Sequence, residues 1–398
     1  MTKDLRRTSP KERGIAVLVV LITIALLTAV IVEFQYSATV DLQLAFNARD
    51  ELQAEYNALT ALRLRSLLLR QGQALQAGMA GVLQALTGST SSAQLPLGQI
   101  LQQIPITCSL LNKVLKETSE GNELTVDKQS KADKKAKVDF LPGECQATSQ
   151  SEHSKLSVNM LGNPSNNAAS TIQAMLLAFL SDPRLQDQFN ASDSSGRYAE
   201  NPAQLVAAIA DWVDRDRIET GTSGDEDRRY SYLRDPYRAK NAPFDSLAEL
   251  QLVHGVNDKI FGILKDNVTI YTDSTAIEIA TASPERIIFG LLASRKQMVP
   301  PEQLVNGVGI LMRAIADMRA ASPVPGMAQL TVSNLVAMVQ SAGLDALIDV
   351  NAIRQTFTDR AGTTWYSIVA EGKVGNATRT MRAVLQSTEG QFYYFRME

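Results

Sequence analysis

The amino-acid sequence predicts an α+β chain. One long helix begins in a membrane, a large all-α region follows, and a small antiparallel sheet closes the sequence. Three observations carry this. Ile15 to Val32 (IAVLVVLITIALLTAVIV) is an eighteen-residue apolar run broken only by Thr23 and Thr28, long enough to cross a bilayer. From Ile15 to Gln71 there are 57 positions with neither glycine nor proline. After about residue 355 the apolar spacing changes from helical to strand-like, in blocks separated by glycine turns. With 398 residues, 45% of them hydrophobic, and a net charge of −3, the chain has material for an anchor plus one or two folded domains. It has no basic excess for gripping nucleic acid. Its two histidines, His153 and His254, are too few for most His/Cys zinc sites, and a Ser-His-Asp site would have to use one of them.

Ahead of the apolar run stand Lys3, Arg6, Arg7, Lys11 and Arg13 against Asp4 and Glu12. A short basic leader stays in the cytoplasm, so everything after Val32 is expected on the exported side. No small-x-small cleavage site closes the run, as it would in a secretory signal; the one conspicuous small residue is Gly14, on the cytoplasmic side. This arrangement resembles the type IV prepilin leader. The resemblance implies that a prepilin peptidase cuts between Gly14 and Ile15, leaving residues 15 onward as an N-methylated mature chain. An uncleaved signal anchor is the plainer alternative. Pilins place a glutamate fifth after the cut, to neutralise the amine of the subunit ahead; here Val19 stands there. A carboxylate in hydrocarbon is costly without a partner, so Val19 fits a subunit with no neighbour above it, at a filament tip.

Beyond the membrane, Ala45, Ala48, Leu52, Tyr56 and Leu59 recur at helical spacing. Residues 15–71 read as one continuous stem of ~85 Å, as in pilins, with a coiled-coil stalk as the competing reading. Residues 72–162 are expected to hold a connection and the first strands. Gly78, Gly81, Gly88 and the serines of GSTSSAQ read as a helix end entering a loop. Cys108 and Cys145, the only two cysteines in an exported chain, most simply form one disulfide. It would tie the base of a polar loop carrying Lys128, Lys131, Lys134, Lys135 and Lys137, which reads as a solvated excursion.

SEHSKLSVNMLG (Ser151 to Gly162) reads as a strand. It is followed in order by ADWVDRD, GDEDRRYSYL, DPYRAKNAPFDSLAELQLVHGV and EIATASPERIIFGLL. Behind a prepilin leader, this succession resembles the K-type minor pseudopilins of the type II secretion system, from the leader through about Leu292. The resemblance implies a type IV pilin-like fold, with the stem helix packed on a small antiparallel sheet and a helical domain inserted at 163–355. Residues 85–150 depart from the family, whose connection there is shorter.

Within 163–355, helices are expected at Ala203–Val213, after Ser246, from Asp258, from Ser283-Pro284, at Glu302–Arg319 and at Ser333–Ile348. LQLVHGVNDKIFGILKD resembles a helix-hairpin-helix. Lys259 and Lys265 are offset by Asp258 and Asp266, so a packing role is preferred to DNA binding, whose affinity rests on cationic contacts, and His254 reads as a turn residue. The stretch DWVDRDRIETGTSGDED concentrates carboxylates on a loop. Ca2+ takes six to eight oxygens in flexible geometry, although the spacing is not that of an EF-hand. The family resemblance implies calcium in this domain, with Asp214, Asp216, Glu226 and Asp227 at the matching positions. Arg215, Arg217, Arg228 and Arg229 supply the alternative, a solvated loop of ion pairs.

Finally TTWYSIVAEGKV, ATRTMRAVLQST and QFYYFRM, parted by Gly375-Asn376 and Glu389-Gly390, predict three antiparallel strands in 356–398. The whole implies a single-pass protein of the bacterial inner membrane with a periplasmic head and no catalytic constellation. Its expected partners are the I- and J-type minor pseudopilins, the major pseudopilin, the prepilin peptidase, the secretin and secreted substrates, with no nucleic acid. A minor pilin priming a type IV pilus is the nearest alternative. A membrane-tethered DNA receptor is a second, and an anchored hydrolase a third.

Overall fold

The computed structural model describes residues 10–87, 106–109, 112, 142–162, 168–182, 185–189, 201–296, 299, 301–320, 330–359 and 364–398, with the side chains of the first helix given from Val17 to Gln71. The lysine-rich excursion and the leader before Pro10 lie outside these residues.

The first helix, α1, runs Pro10–Thr87, ~117 Å at the standard rise. It is longer than the sequence implied, because Gly72, Gly78 and Gly81 do not end it. Isolated glycines cost a helix about 1 kcal/mol each, and the alanine-, leucine- and glutamine-rich flanks tolerate them. Near its start α1 is long and apolar enough to cross a membrane. Thr23 and Thr28 turn their hydroxyls back onto the carbonyls of Val20 (2.9 Å) and Ile24 (2.8 Å), which satisfies them without water. Further along, Ala54, Asn57, Ala58, Ala61, Leu62, Arg65 and Leu69 are buried. They recur at steps of three and four, so one stripe of the helix packs.

Strands β1 (Ile106–Thr107), β2 (Glu144–Ser151), β7 (Trp365–Val374), β8 (Ala377–Gln386) and β9 (Gln391–Met397) form one sheet in the order β1-β2-β7-β8-β9. β2 and β7 are neighbours in the sheet and far apart in sequence, so the helices between them are an insert. Two two-residue parallel pairs stand apart: β3 (Leu156–Ser157) with β4 (Val268–Thr269), and β5 (Ile277–Glu278) with β6 (Phe357–Thr358). The segment Ser151–Gly162 is not the strand its sequence suggested. β2 ends at Ser151, the Ser154 hydroxyl folds back onto the Ser151 carbonyl (2.7 Å), and 3-10 turns follow around β3.

The chain divides into two compact units. The first comprises the described parts of Met1–Ala61, Thr107–Gln146 and Glu371–Thr380. Here Gly372 lies against α1 so closely that a Cβ would sit 2.1 Å from the Ala54 carbonyl oxygen and 2.6 Å from the Ala58 nitrogen. Only glycine permits that approach. Asn57 donates to the Pro142 carbonyl (2.8 Å) and Arg379 to Glu51 (2.8 Å). Cys108 and Cys145 are disulfide-bonded, with Cα atoms 4.9 Å apart.

The second unit comprises the described parts of Leu62–Ile106, Ala147–Ala370 and Met381–Glu398. Buried Arg65 donates through Nε (3.0 Å) and Nη2 (2.8 Å) to the Ser149 hydroxyl. The helices are α2 (Ala168–Leu180), α3 (Gln186–Phe189), α4 (Pro202–Val213), α5 (Arg228–Ser231), α6 (Asp258–Asn267), α7 (Pro284–Ala293), α8 (Pro301–Ala320), α9 (Val332–Ser341) and α10 (Val350–Thr356). Their apolar faces converge on one core in which Phe179 meets Phe289 edge-on at 4.6 Å. Caps set the starts: Asn201 for α4, Ser283 with Pro284 for α7, Thr331 for α9. Asn257, not Asp258, caps α6, and Ser246 forms a capping box with Glu249 over a 3-10 segment, Leu247–Leu252. The helix expected through Ile348 stops at Ser341, because Gly343 turns left-handed (φ +67°).

Candidate metal centre

The acidic stretch begins on the last turn of α4. Asp211 and Asp214 are three residues apart there, so they share a face. After Asp214 the chain leaves the helix and turns at Gly221 (φ +84°). It returns through a bridge between Ile218 and Asp225, which brings Glu226 back onto α4. One carboxylate oxygen each from Asp211, Asp214 and Glu226 lies within 4.8 Å of the others. Two full charges at that separation repel by about 3 kcal/mol at an effective dielectric of ~20.

The surroundings sharpen the conflict. Asp211 and Glu226 are buried. Trp212, next to Asp211 in the chain, joins Tyr230, Tyr237 and Phe244 in an aromatic block, stacked on Phe244 at 6.4 Å and edge-on to Tyr230 at 5.7 Å. Asp211 is compensated: Oδ1 accepts from the Thr220 amide (2.7 Å) and Oδ2 from Arg229 (2.7 Å), whose other nitrogen reaches Glu219. Glu226 Oε2 accepts from Asn241 (3.1 Å), but Glu226 Oε1 and Asp214 Oδ1 are buried without any hydrogen-bond partner. Burial first, then the neighbouring carboxylates, pushes Glu226 up to about 7 and Asp214 to about 6, and burial raises Asp211 as well. Buried polar atoms are nearly always satisfied, so two orphaned oxygens on members of one carboxylate cluster fit a cation. An all-oxygen set of this kind suits Ca2+.

Four residues were expected here from the sequence, and the structure brings together two of them, Asp214 and Glu226. Asp216 turns its carboxylate onto the Ile218 amide (2.8 Å). Its carbonyl is held by Asn241, a non-glycine residue in the left-handed region (φ +50°). Asp227 accepts from the Ala239 amide (3.1 Å) and faces Arg238 at 3.7 Å. Both are short side chains satisfied by nearby backbone, the local bonding that aspartates in turns favour. The third member of the observed cluster is Asp211. The i, i+3 spacing on the end of α4 was the signal for it, but the residue reads as part of a helix rather than of the loop.

Residues 154–273, which contain the whole cluster, match the family described as Type II secretion system (T2SS), protein K. Two curated proteins, both named Type II secretion system protein K, align with the same chain. The one from Aeromonas hydrophila is 34% identical over 84 residues, 21% of this chain and 25% of that protein. The one from Klebsiella pneumoniae is 30% identical over 106 residues, 26% of this chain and 32% of that protein. The matched stretches therefore span about a quarter to a third of those relatives. Among solved structures, the crystal structure of the GspK-GspI-GspJ complex from the enterotoxigenic Escherichia coli type 2 secretion system aligns over 73% of this chain and 93% of that one, at 16% identity and a TM-score of 0.45. Over residues 154–273 the resemblance to K-type secretion proteins read from the sequence agrees with this family match.

Proposed function

We propose that this chain is a minor pseudopilin of the K type, anchored in the inner membrane, that sits at the tip of a short periplasmic filament. There it initiates assembly with the I- and J-type subunits and aids the export of folded proteins. The observation that carries the reading is the match of residues 154–273 to type II secretion protein K. It is supported by the membrane-length helix upstream and by a helical insert between β2 and β7 of an antiparallel sheet. Gly14 and Ile15 lie in the first turns of α1, where the prepilin peptidase would cut. Val19, the fifth residue from that cut, leaves no carboxylate in the membrane segment.

In this reading Asp211, Asp214 and Glu226 hold a structural Ca2+. The ion would supply the positive charge that the orphaned oxygens of Asp214 and Glu226 face, and would pin the loop after Val213 to the end of α4. Arg229 and the Thr220 amide orient Asp211, and Asn241 orients Glu226. No step of bond making or breaking is asked of these residues.

The test is made in a bacterium whose type II secretion system lacks its K-type subunit. Expressed there, the full chain should be recovered from membranes beginning at Ile15, co-purify with the I- and J-type subunits, and restore secretion. Recovery with Met1 intact beside an active prepilin peptidase, or mature protein with neither association nor secretion, would overturn it.

A further inference from the structure

The last strand of the sheet is built unlike the others. β9 lies at the sheet edge and pairs only with β8, antiparallel, from Met381↔Met397 to Gln386↔Gln391. Successive side chains of a strand point to opposite faces, yet all seven residues of QFYYFRM are exposed. Among the described residues their one ring contact is Tyr393 edge-on to Trp365 at 4.7 Å, which still leaves Tyr393 half open. Five of them are large and apolar or aromatic: Tyr393 is 52% exposed and Phe395 53%, with Phe392, Tyr394 and Met397 close behind. Among the described residues no strand pairs with the outer side of β9. Soluble proteins normally blunt such an edge with lysines, proline or a bulge, since its unpaired N–H and C=O groups template another strand. Here there is no lysine or proline. The single register shift, opposite Val384/Leu385, falls in the first half of the strand, and residues 394–397 stay regular.

Charge adds a second, independent feature. Arg396 stands directly across from Arg382, a like-charged pair that destabilises a ladder. Among the described residues Glu398 alone serves both, at 3.3 Å from Arg396 and 3.5 Å from Arg382. One carboxylate shared by two guanidinium groups leaves Arg396 able to take another.

We propose that the outer edge of β9 receives an extended strand from a different protein chain, one that alternates apolar side chains with a carboxylate facing Arg396. A helix or a lipid surface would cover the aromatics but leave the ladder groups of the edge unpaired, which an apolar environment penalises. A second copy of β9, paired antiparallel over the whole strand, sets Arg396 opposite Phe392 and its own Glu398 opposite Gly390, so it gives Arg396 no carboxylate. Strand addition satisfies the backbone, both apolar faces and the arginine together. The inference stands on the strand itself and goes beyond the family reading.

The experiment uses the full chain in its native membranes, carrying Phe395→p-benzoylphenylalanine, with ultraviolet crosslinking and mass spectrometry of the joined peptides. The expected adduct joins position 395 to a segment of another protein that is apolar in alternation and has Asp or Glu within two residues of the joined site. Arg396→Glu should lower the yield by about fivefold, the worth of one surface charge pair, while Arg396→Lys keeps most of it. Amide exchange of residues 391–397 should slow in the same membranes relative to the purified chain, and an unchanged thermal midpoint in each variant shows that the sheet is intact. Adducts to acyl chains, to this chain's own residues or to a second copy of β9 would overturn the proposal, as would no adduct.

Discussion

Glu226→Gln tests the metal centre in a direction that ordinary buried carboxylates do not share. Glu226 is buried, has one oxygen without a partner, and shares a 4.8 Å cluster with Asp211 and Asp214. Its pKa is pushed up to about 7, by desolvation first and the neighbouring acids second. Keeping it ionised at pH 7.5 therefore costs the calcium-free fold on the order of 2–3 kcal/mol. Glutamine fills the same space without the charge, so in EGTA the variant should melt several degrees above the wild type. Millimolar Ca2+ should reverse the order. The wild type gains ~2.7 kcal/mol when the ion stands a hundredfold above its dissociation constant, and the variant gains little. The pH dependence follows with its own sign. A carboxylate raised in the fold binds its proton more tightly there than in the unfolded chain. Without calcium, stability is therefore highest below the ordinary carboxylate range and falls as pH rises through about 7. With calcium saturating, the ion-bound carboxylate stays ionised in the fold, so that fall disappears. The stabilisation that calcium adds grows over the same window as protons cease to compete. The assay is thermal melting of a soluble form lacking residues 1–35, in EGTA and in Ca2+, from pH 5 to 8. A wild-type midpoint indifferent to calcium, together with a variant less stable in EGTA, would refute the cation reading. It would leave Glu226 as a hydrogen-bonded structural acid on Asn241.

Three further outcomes are expected. Gly372→Ala should lower the melting midpoint by an amount equivalent to about 1–3 kcal/mol or more, since its Cβ would meet the Ala54 carbonyl at 2.1 Å; an unchanged midpoint would mean that the strand yields freely. Cys108→Ser should destabilise by ~3–4 kcal/mol in the chain-entropy model, because the disulfide closes a sequence separation of 37; equal denaturation midpoints with and without the bond would show the loop is not constrained by it. The hairpin around Gly255 (φ +92°) should bind duplex DNA no better than a neutral control protein at moderate salt. Strongly salt-dependent binding would make Lys259 and Lys265 the residues to mutate.

What could be read from residues alone followed from periodicity. The apolar run after Gly14 and the β-rich runs WYSIVAEGKV, ATRTMRAVLQ and QFYYFRM between glycine turns each admit one kind of element, and the structure has those elements. The segment Ser151–Gly162 misled because its apolar spacing mimics a strand, while Ser154 and buried Glu152 turn the chain through short-range hydrogen bonds. Extension of α1 past Gly72 was hidden for the opposite reason: a weak breaker lost to strong helix formers on both sides. At the acid loop, charge density located the site but did not rank the ligands. Which aspartates face inward depends on amides supplied by Ile218 and Ala239, and sequence spacing does not carry that. The openness of β9 was equally invisible, since an apolar strand reads as a covered one.

The seat of Gly372 between Ala54 and Ala58 has a mechanical meaning. Those two residues are one helical turn apart on α1, and the strand backbone rests between them with no side chain to act as a cushion. Sliding α1 along its axis by even one residue, ~1.5 Å, would drive an alanine methyl or carbonyl into the hairpin. The Asn57–Pro142 hydrogen bond on the same turn resists rotation in the same way. Stem and hairpin thus behave as a key in its slot. Thrust applied lengthwise at the apolar N-terminal end of the helix would be delivered to the hairpin by hard contact, with almost no play to take up first.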